Sequence, residues 1–100
     1  ILERNNYPLM IIAEHEHWRQ VVDFQGDIGW VYFRLLSGNR TIIVSKDDIL
    51  LRKKEKNNSN PIGILKYGVV GELIESKENV CNAKFKNLSG WINKNDVWGC

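Results

Sequence analysis

The sequence predicts an all-β protein built from two small units of one kind, and three observations predict it. The first is repetition. Trp18-Arg19-Gln20-Val21-Val22-Asp23-Phe24, a short turn and Gly29-Trp30-Val31 return as Val80-Cys81-Asn82-Ala83-Lys84-Phe85, a short turn and Gly90-Trp91-Ile92. Leu9-Met10-Ile11-Ile12-Ala13-Glu14 is echoed by Gly71-Glu72-Leu73-Ile74-Glu75, and Leu36-Ser37-Gly38 by Val97-Trp98-Gly99. The offset is 62 at Ile12/Ile74 and 61 at Trp30/Trp91, so the second copy's turn is one residue shorter. A period this long, filled with short strand-like runs, means two small domains rather than a solenoid. Second, no segment carries apolar residues at helical spacing over three turns. Third, the runs between turns are rich in β-branched and aromatic residues, which suit a pleated, half-buried surface.

Each element follows from local chemistry. Residues 9–14 alternate into a strand that ends at the polar Glu14-His15-Glu16-His17. Trp18 to Phe24 is a second strand, and Gln25-Gly26-Asp27 a tight turn in which Gly26 supplies the positive φ a hairpin wants. Gly29 to Phe33 is a third strand. Arg34-Leu35-Leu36-Ser37-Gly38 is too short for an α-helix and reads as one 3-10 turn ended by Gly38. Arg40-Thr41-Ile42-Ile43-Val44 is a β-branched run expected to close the first barrel.

Ser45-Lys46-Asp47-Asp48 marks the boundary, giving a first unit over 1–44 and a second over 45–100. Ile49 to Arg52 is expected to open the second unit, followed by a polar loop from Lys53 to Pro61. Strands follow at Ile62–Leu65, Val69–Glu75, Val80–Lys86 and Gly90–Asn93, then a short turn at Lys94-Asn95-Asp96-Val97. The first unit has only Ile1 to Pro8 where the second has a strand and a long loop. It is therefore expected to lack its opening strand, most simply by truncation. A barrel without that strand exposes unpaired backbone groups that invite another chain.

Composition narrows the class. A chain of 100 residues with 43% apolar content fits a globular protein. Units of about 40–60 residues have marginal cores and are expected to lean on each other. No apolar run approaches the ~20 residues a membrane helix needs. A formal charge of +2 is too weak to argue for nucleic acid, and the basic run Arg52-Lys53-Lys54-Glu55-Lys56 reads as a solvated loop. Cys81 and Cys100 could pair in an exported protein, but Cys81 sits in a core-facing strand where a buried free thiol is the more ordinary state.

The series of strand, loop, Trp-led strand, tight turn, Gly-Trp-Val strand and short 3-10 turn resembles the bacterial SH3-like (SH3b) domains, in tandem. The residues carrying the resemblance are Ile11-Ile12-Ala13-Glu14, Trp18-Arg19, Gly26, Gly29-Trp30-Val31 and Leu35-Leu36-Ser37-Gly38. In the second copy they are Glu72-Leu73-Ile74-Glu75, Gly90-Trp91-Ile92 and Asp96-Val97-Trp98-Gly99. The Leu-Leu-Ser-Gly and Asp-Val-Trp-Gly endings are similar to those of an exported, two-repeat subfamily. The resemblance implies two small SH3-like β-barrels, non-catalytic and periplasmic or otherwise exported from a bacterial cell, binding peptidoglycan or an envelope peptide. Val80 departs from the family pattern, standing where a second Trp is expected. Polyproline recognition is disfavoured, because neither stretch after Trp30 or Trp91 holds a proline.

Among residues that could carry chemistry, His15 and His17 share one strand face and could hold a metal with Glu14 or Glu16. A catalytic zinc usually wants three protein ligands, and the chain has no further histidine. An exposed polar loop and no metal site is the expectation. Cys81 with either histidine is the sole conceivable nucleophile–base pair, and it spans both units. No phosphate-loop, nucleophile-elbow or cofactor motif occurs, so neither an enzyme nor a cofactor is expected. The aromatics are stronger candidates. Trp30 and Val31 must point to opposite faces, and Val31 and Ile92 are the natural core residues, which places Trp30 and Trp91 outside. Trp18, Trp30 and Tyr32 in the first copy, with Tyr67 and Trp91 in the second, are the expected ligand-contact residues. Two alternatives stand beside this one: the same rings seal the junction between the units, or the protein is an interaction adaptor that self-associates through an open strand edge.

Overall fold

The computed structural model describes residues 7–56 and 59–100; residues 1–6 of the expected first unit and 57–58 of the expected polar loop lie outside the described residues. The architecture is all-β. Strands β1 (Met10–His15), β2 (Trp18–Val22) and β3 (Ile28–Tyr32) form an antiparallel sheet in the order β1-β2-β3, and a 3-10 turn follows at Phe33–Leu35. The chain continues through β4 (Thr41–Val44), β5 (Ile49–Arg52), β6 (Pro61–Leu65), β7 (Val70–Ser76), β8 (Val80–Phe85) and β9 (Leu88–Asn93). A second 3-10 turn at Lys94–Asp96 and β10 (Val97–Trp98) complete it. These seven strands make a curled sheet in the order β10-β4-β7-β8-β9-β5-β6. The Cα extents are 46 × 22 × 22 Å, an elongated shape.

The sequence repeat is a repeat of register. Ile11 pairs with Val21 and Ala13 with Gln20, leaving a bulge at Ile12. At the offset of 62, Leu73 pairs with Ala83 and Glu75 with Asn82, leaving a bulge at Ile74. Both bulged isoleucines are about half exposed, 47% and 54%, as expected of a residue squeezed out of the ladder. Arg19 pairs with Val31 and Cys81 with Ile92 in the next strand pair. The shorter second turn is also present: Val22↔Ile28 encloses residues 23–27, whereas Lys84↔Ser89 encloses 85–88. Gly26 takes the expected positive φ of 89°. Asp23 fixes that turn by accepting the Gln25 and Asp27 amides on Oδ1, each at 2.9 Å.

The strand expected to close the first barrel does something else. Thr41–Val44 pairs with β7 through Thr41↔Glu72, Ile42↔Gly71 and Ile43↔Val70, and with β10 through Val97↔Val44 and Trp98↔Ile43. It lies between β10 and β7, one strand in from the β10 edge of the second sheet. The physical reason is burial. Ile42, Ile43 and Val44 are at most 1% exposed, and because successive side chains point to opposite faces, three buried in a row need cover on both faces of the strand. Ile49–Arg52 is a strand, as expected; it forms a hairpin with β6 across the polar loop and meets β9 at Arg52↔Trp91. No counterpart of β4 joins the first sheet among the described residues.

The core therefore lies in the second unit. It consists of Ile42, Val44, Leu51, Leu65, Cys81, Ala83, Phe85, Ile92 and Val97. On β8 the alternation is clean, with Cys81, Ala83 and Phe85 turned inward. In the first sheet Val21 is the one fully buried apolar residue, while Met10, Ile11 and Ile28 are more than half exposed. The equivalent glycines register this difference. A Cβ at Gly90 would lie 2.7 Å from the Arg52 carbonyl oxygen and 2.8 Å from Leu51 Cγ, whereas one at Gly29 would meet nothing within 4 Å. Gly90→Ala should therefore destabilise the protein by about 1–3 kcal/mol through overpacking. Gly29→Ala should be neutral or stabilise by up to about 1 kcal/mol. Urea-unfolding midpoints of the two variants check this.

Candidate functional site

Strand pairing sorts the expected contact residues. Trp18 lies opposite Tyr32, Gln20 opposite Trp30 and Val22 opposite Ile28. Side chains alternate along a strand, so Trp18, Trp30, Tyr32 and Ile28 share one face of the first sheet. That face is open: Trp18 is 46% exposed, Trp30 50% and Ile28 61%. Val21, on the opposite face, is 1% exposed. The outward placement of Trp30 expected from alternation is what the structure shows.

One end of this face is organised into a ring cluster. Trp18 meets Tyr32 edge-on at 5.6 Å between centroids, and Tyr32 meets Phe33 at 5.3 Å. His17 stacks on Phe33 at 5.6 Å. A tight β1–β2 turn makes the stack possible: Glu16 adopts a left-handed φ of 53°, and the Phe33 amide donates to the His17 carbonyl at 2.9 Å. Two guanidinium groups face the same ring, Arg19 at 5.7 Å and Arg34 at 5.3 Å from its centroid. Arg19 is held there by Glu14 at 2.8 Å and by donation to the Glu16 and Trp18 carbonyls. The result is a rigid aromatic ledge edged with positive charge. Such a ledge can stack on a sugar ring or peptide plane and pair with a carboxylate.

Tyr67 and Trp91 lie elsewhere. Tyr67 packs on Phe24 at 5.9 Å, joining the two units, and its amide donates to Asp47 at 2.9 Å. For this ring the junction-sealing alternative describes its contact. Trp91, the repeat counterpart of Trp30, lies between Asn82 and Arg52, with Lys77 Nζ 5.4 Å from its ring. Lys77 is held by Glu55 at 2.7 Å, and that ion pair raises the lysine pKa. Lys53, Lys54 and Lys56 are exposed, as a solvated loop requires. Among the described residues no three His, Cys, Asp or Glu side chains converge on one point.

A cleft of about 620 Å³ opens between the units. Met10, Ile11, Leu35 and Leu36 of the first unit face Trp98 and Gly99 of the second across it. Its position follows from the repeat. In the second sheet β4 lies between β7 and β10; at the repeat offsets, those walls correspond to residues 8–10 and Leu36-Ser37, both of which line the cleft.

Residues 4–38 match a family model described as Bacterial SH3 domain. The matched stretch contains β1 to β3 and the first 3-10 turn. Searches of curated proteins and of solved structures returned no match.

The remaining reactive group is Cys81, a free thiol, as Cys100 is. Cys81 is fully buried, and burial pushes its pKa well above the ordinary thiol range. A nucleophile needs the thiolate, so this sulfur reacts slowly in the folded, reduced protein. The sign of the linkage follows. Above pH ~8.5 the unfolded chain loses this proton while the folded chain keeps it, so stability falls as pH rises. Between about pH 8 and 10 the urea midpoint of the reduced protein should drop, and Cys81→Ala should remove that part of the slope.

Proposed function

We propose that the chain is a non-enzymatic binding module of the bacterial cell envelope, made of two SH3-like units in tandem, with Thr41–Val44 belonging to the second. Its ligand is peptidoglycan or an envelope peptide, and its compartment is periplasmic or exported. The observation that carries this reading is the shared open face of Trp18, Trp30 and Tyr32, about half exposed at both tryptophans. Large rigid rings left in water cost stability that a monomer would otherwise gain by burying them. The match of residues 4–38 to the Bacterial SH3 domain supports the ligand class. Trp91 offers the second unit's equivalent surface, and Tyr67 contributes by holding the units together. A pulldown of the full chain on purified peptidoglycan tests the reading. Trp18→Ala and Trp30→Ala should each weaken retention roughly tenfold or more, with melting temperatures within a few degrees of the parent. Retention unchanged in both variants would remove the face from consideration.

A second reading has its own observation, the cleft at the position β4 takes in the second sheet, where the first sheet has no strand among the described residues. There the protein is an adaptor that takes a strand from a second copy through β-augmentation. Light scattering on the gel-filtered chain should then give a dimer mass, and a peptide reproducing residues 40–45 should return it to monomer by competing for the slot. A monomer at every concentration rules this reading out.

A further inference from the structure

Two sulfurs lie together in the second sheet. Cys81, on β8, is fully buried and is the cross-strand partner of Ser76 on β7. Cys100 follows β10, and its thiol donates to Ser76 Oγ at 3.6 Å. The Cys100 side chain packs against the core cluster that contains Cys81, so both cysteines adjoin Ser76. The first unit crosses the same place differently: Glu14 and Arg19, the repeat counterparts of Ser76 and Cys81, form the ion pair at 2.8 Å. β10 pairs with β4 through Val97↔Val44 and Trp98↔Ile43, Val97 packs in the core, and Arg40 Nη2 donates to the Gly99 carbonyl at 2.9 Å.

We propose that Cys81 and Cys100 are the site of an intramolecular disulfide that fastens the end of β10 to β8, closed by exchange with an oxidised disulfide, RSSR. Cys100 is the partly exposed member and the entry point. Its thiolate attacks one RSSR sulfur, forming a Cys100–SR mixed disulfide and releasing RS⁻. The Cys81 sulfur then attacks the Cys100 sulfur, forming the Cys81–Cys100 bond and releasing the second RS⁻. The two thiol protons pass through solvent to the released thiolates. In balance, two cysteine thiols and RSSR give one protein disulfide and two RSH. Burial of Cys81 makes the second step the slower one, because that step needs its thiolate. The bond adds to the pairing of β10 with β4 and restricts the unfolded state over residues 81–100.

The test uses the full chain, reduced and then exposed to oxidised glutathione at pH 8. Samples are quenched in acid, denatured, treated with an alkylating reagent and weighed by mass spectrometry. The expected product is lighter than the reduced protein by two hydrogens, carries no alkyl group and melts roughly 5–15 °C higher. Because Cys81 is a core residue, Cys100→Ser is the principal variant: it should show no rise in melting temperature and should keep an alkylatable Cys81. A lasting glutathione adduct on Cys100 beside a free Cys81, or two alkylated thiols, would overturn the assignment. Neither result depends on what the aromatic face binds, so a failed peptidoglycan pulldown leaves this inference untouched.

Discussion

The structure depends on one strand being hydrogen-bonded along both edges. β4 brings four residues, and its neighbours β7 and β10 close over Ile42, Ile43 and Val44. That arrangement converts a meander into a curled sheet with an inside. Where it exists, Leu51, Leu65, Phe85 and Ile92 have something to pack on. Where it is missing, the same meander with the same register keeps Met10, Ile11 and Ile28 in water. The two matching meanders thus differ in their partners: the second is flanked by β4 and β10 on one side and the β5–β6 hairpin on the other, and among the described residues the first has neither.

That asymmetry also shapes the candidate site. In the seven-stranded sheet Trp91 lies beneath Lys77, and Tyr67, itself half exposed, touches Phe24. The open sheet leaves Trp18 and Trp30 available. Polar contacts do the positioning there: Glu14 fixes Arg19, Arg19 faces Phe33, and the Phe33 amide ties the 3-10 turn to His17. The ledge is therefore rigid without being buried, which is the condition for stacking at low entropic cost.

Local and repeated signals were legible in the sequence. The period exposed the matching meanders, alternation put Trp30 outside and Ile92 inside, and Gly26 announced its turn; Val31, expected in the core, is only partly buried. Long-range pairing was less accessible. Thr41-Ile42-Ile43-Val44 reads as a strand, but nothing within it says that Glu72 and Val97 are nearby. Proximity in sequence argued for the first unit, whereas the pairing runs to β7 and β10 of the second sheet. His17 was hidden for another reason. Weighed as a metal ligand or as loop, it becomes a stacking residue through the left-handed turn at Glu16, a conformation its sequence does not advertise. The two walls of the cleft, residues 8–10 and Leu36-Ser37, are far apart in the chain, and their kinship shows only when the second copy is laid over the first.

The shared bulge at Ile12 and Ile74 has a consequence for descent. Adding or deleting a residue inside a strand turns every later side chain to the wrong face, so such a change is hard to acquire twice at one position. A hairpin tip absorbs a length change with far less harm. On a duplication reading, the squeezed-out isoleucine is an heirloom of the ancestral meander, and the trimmed tip at 85–88 is the younger edit.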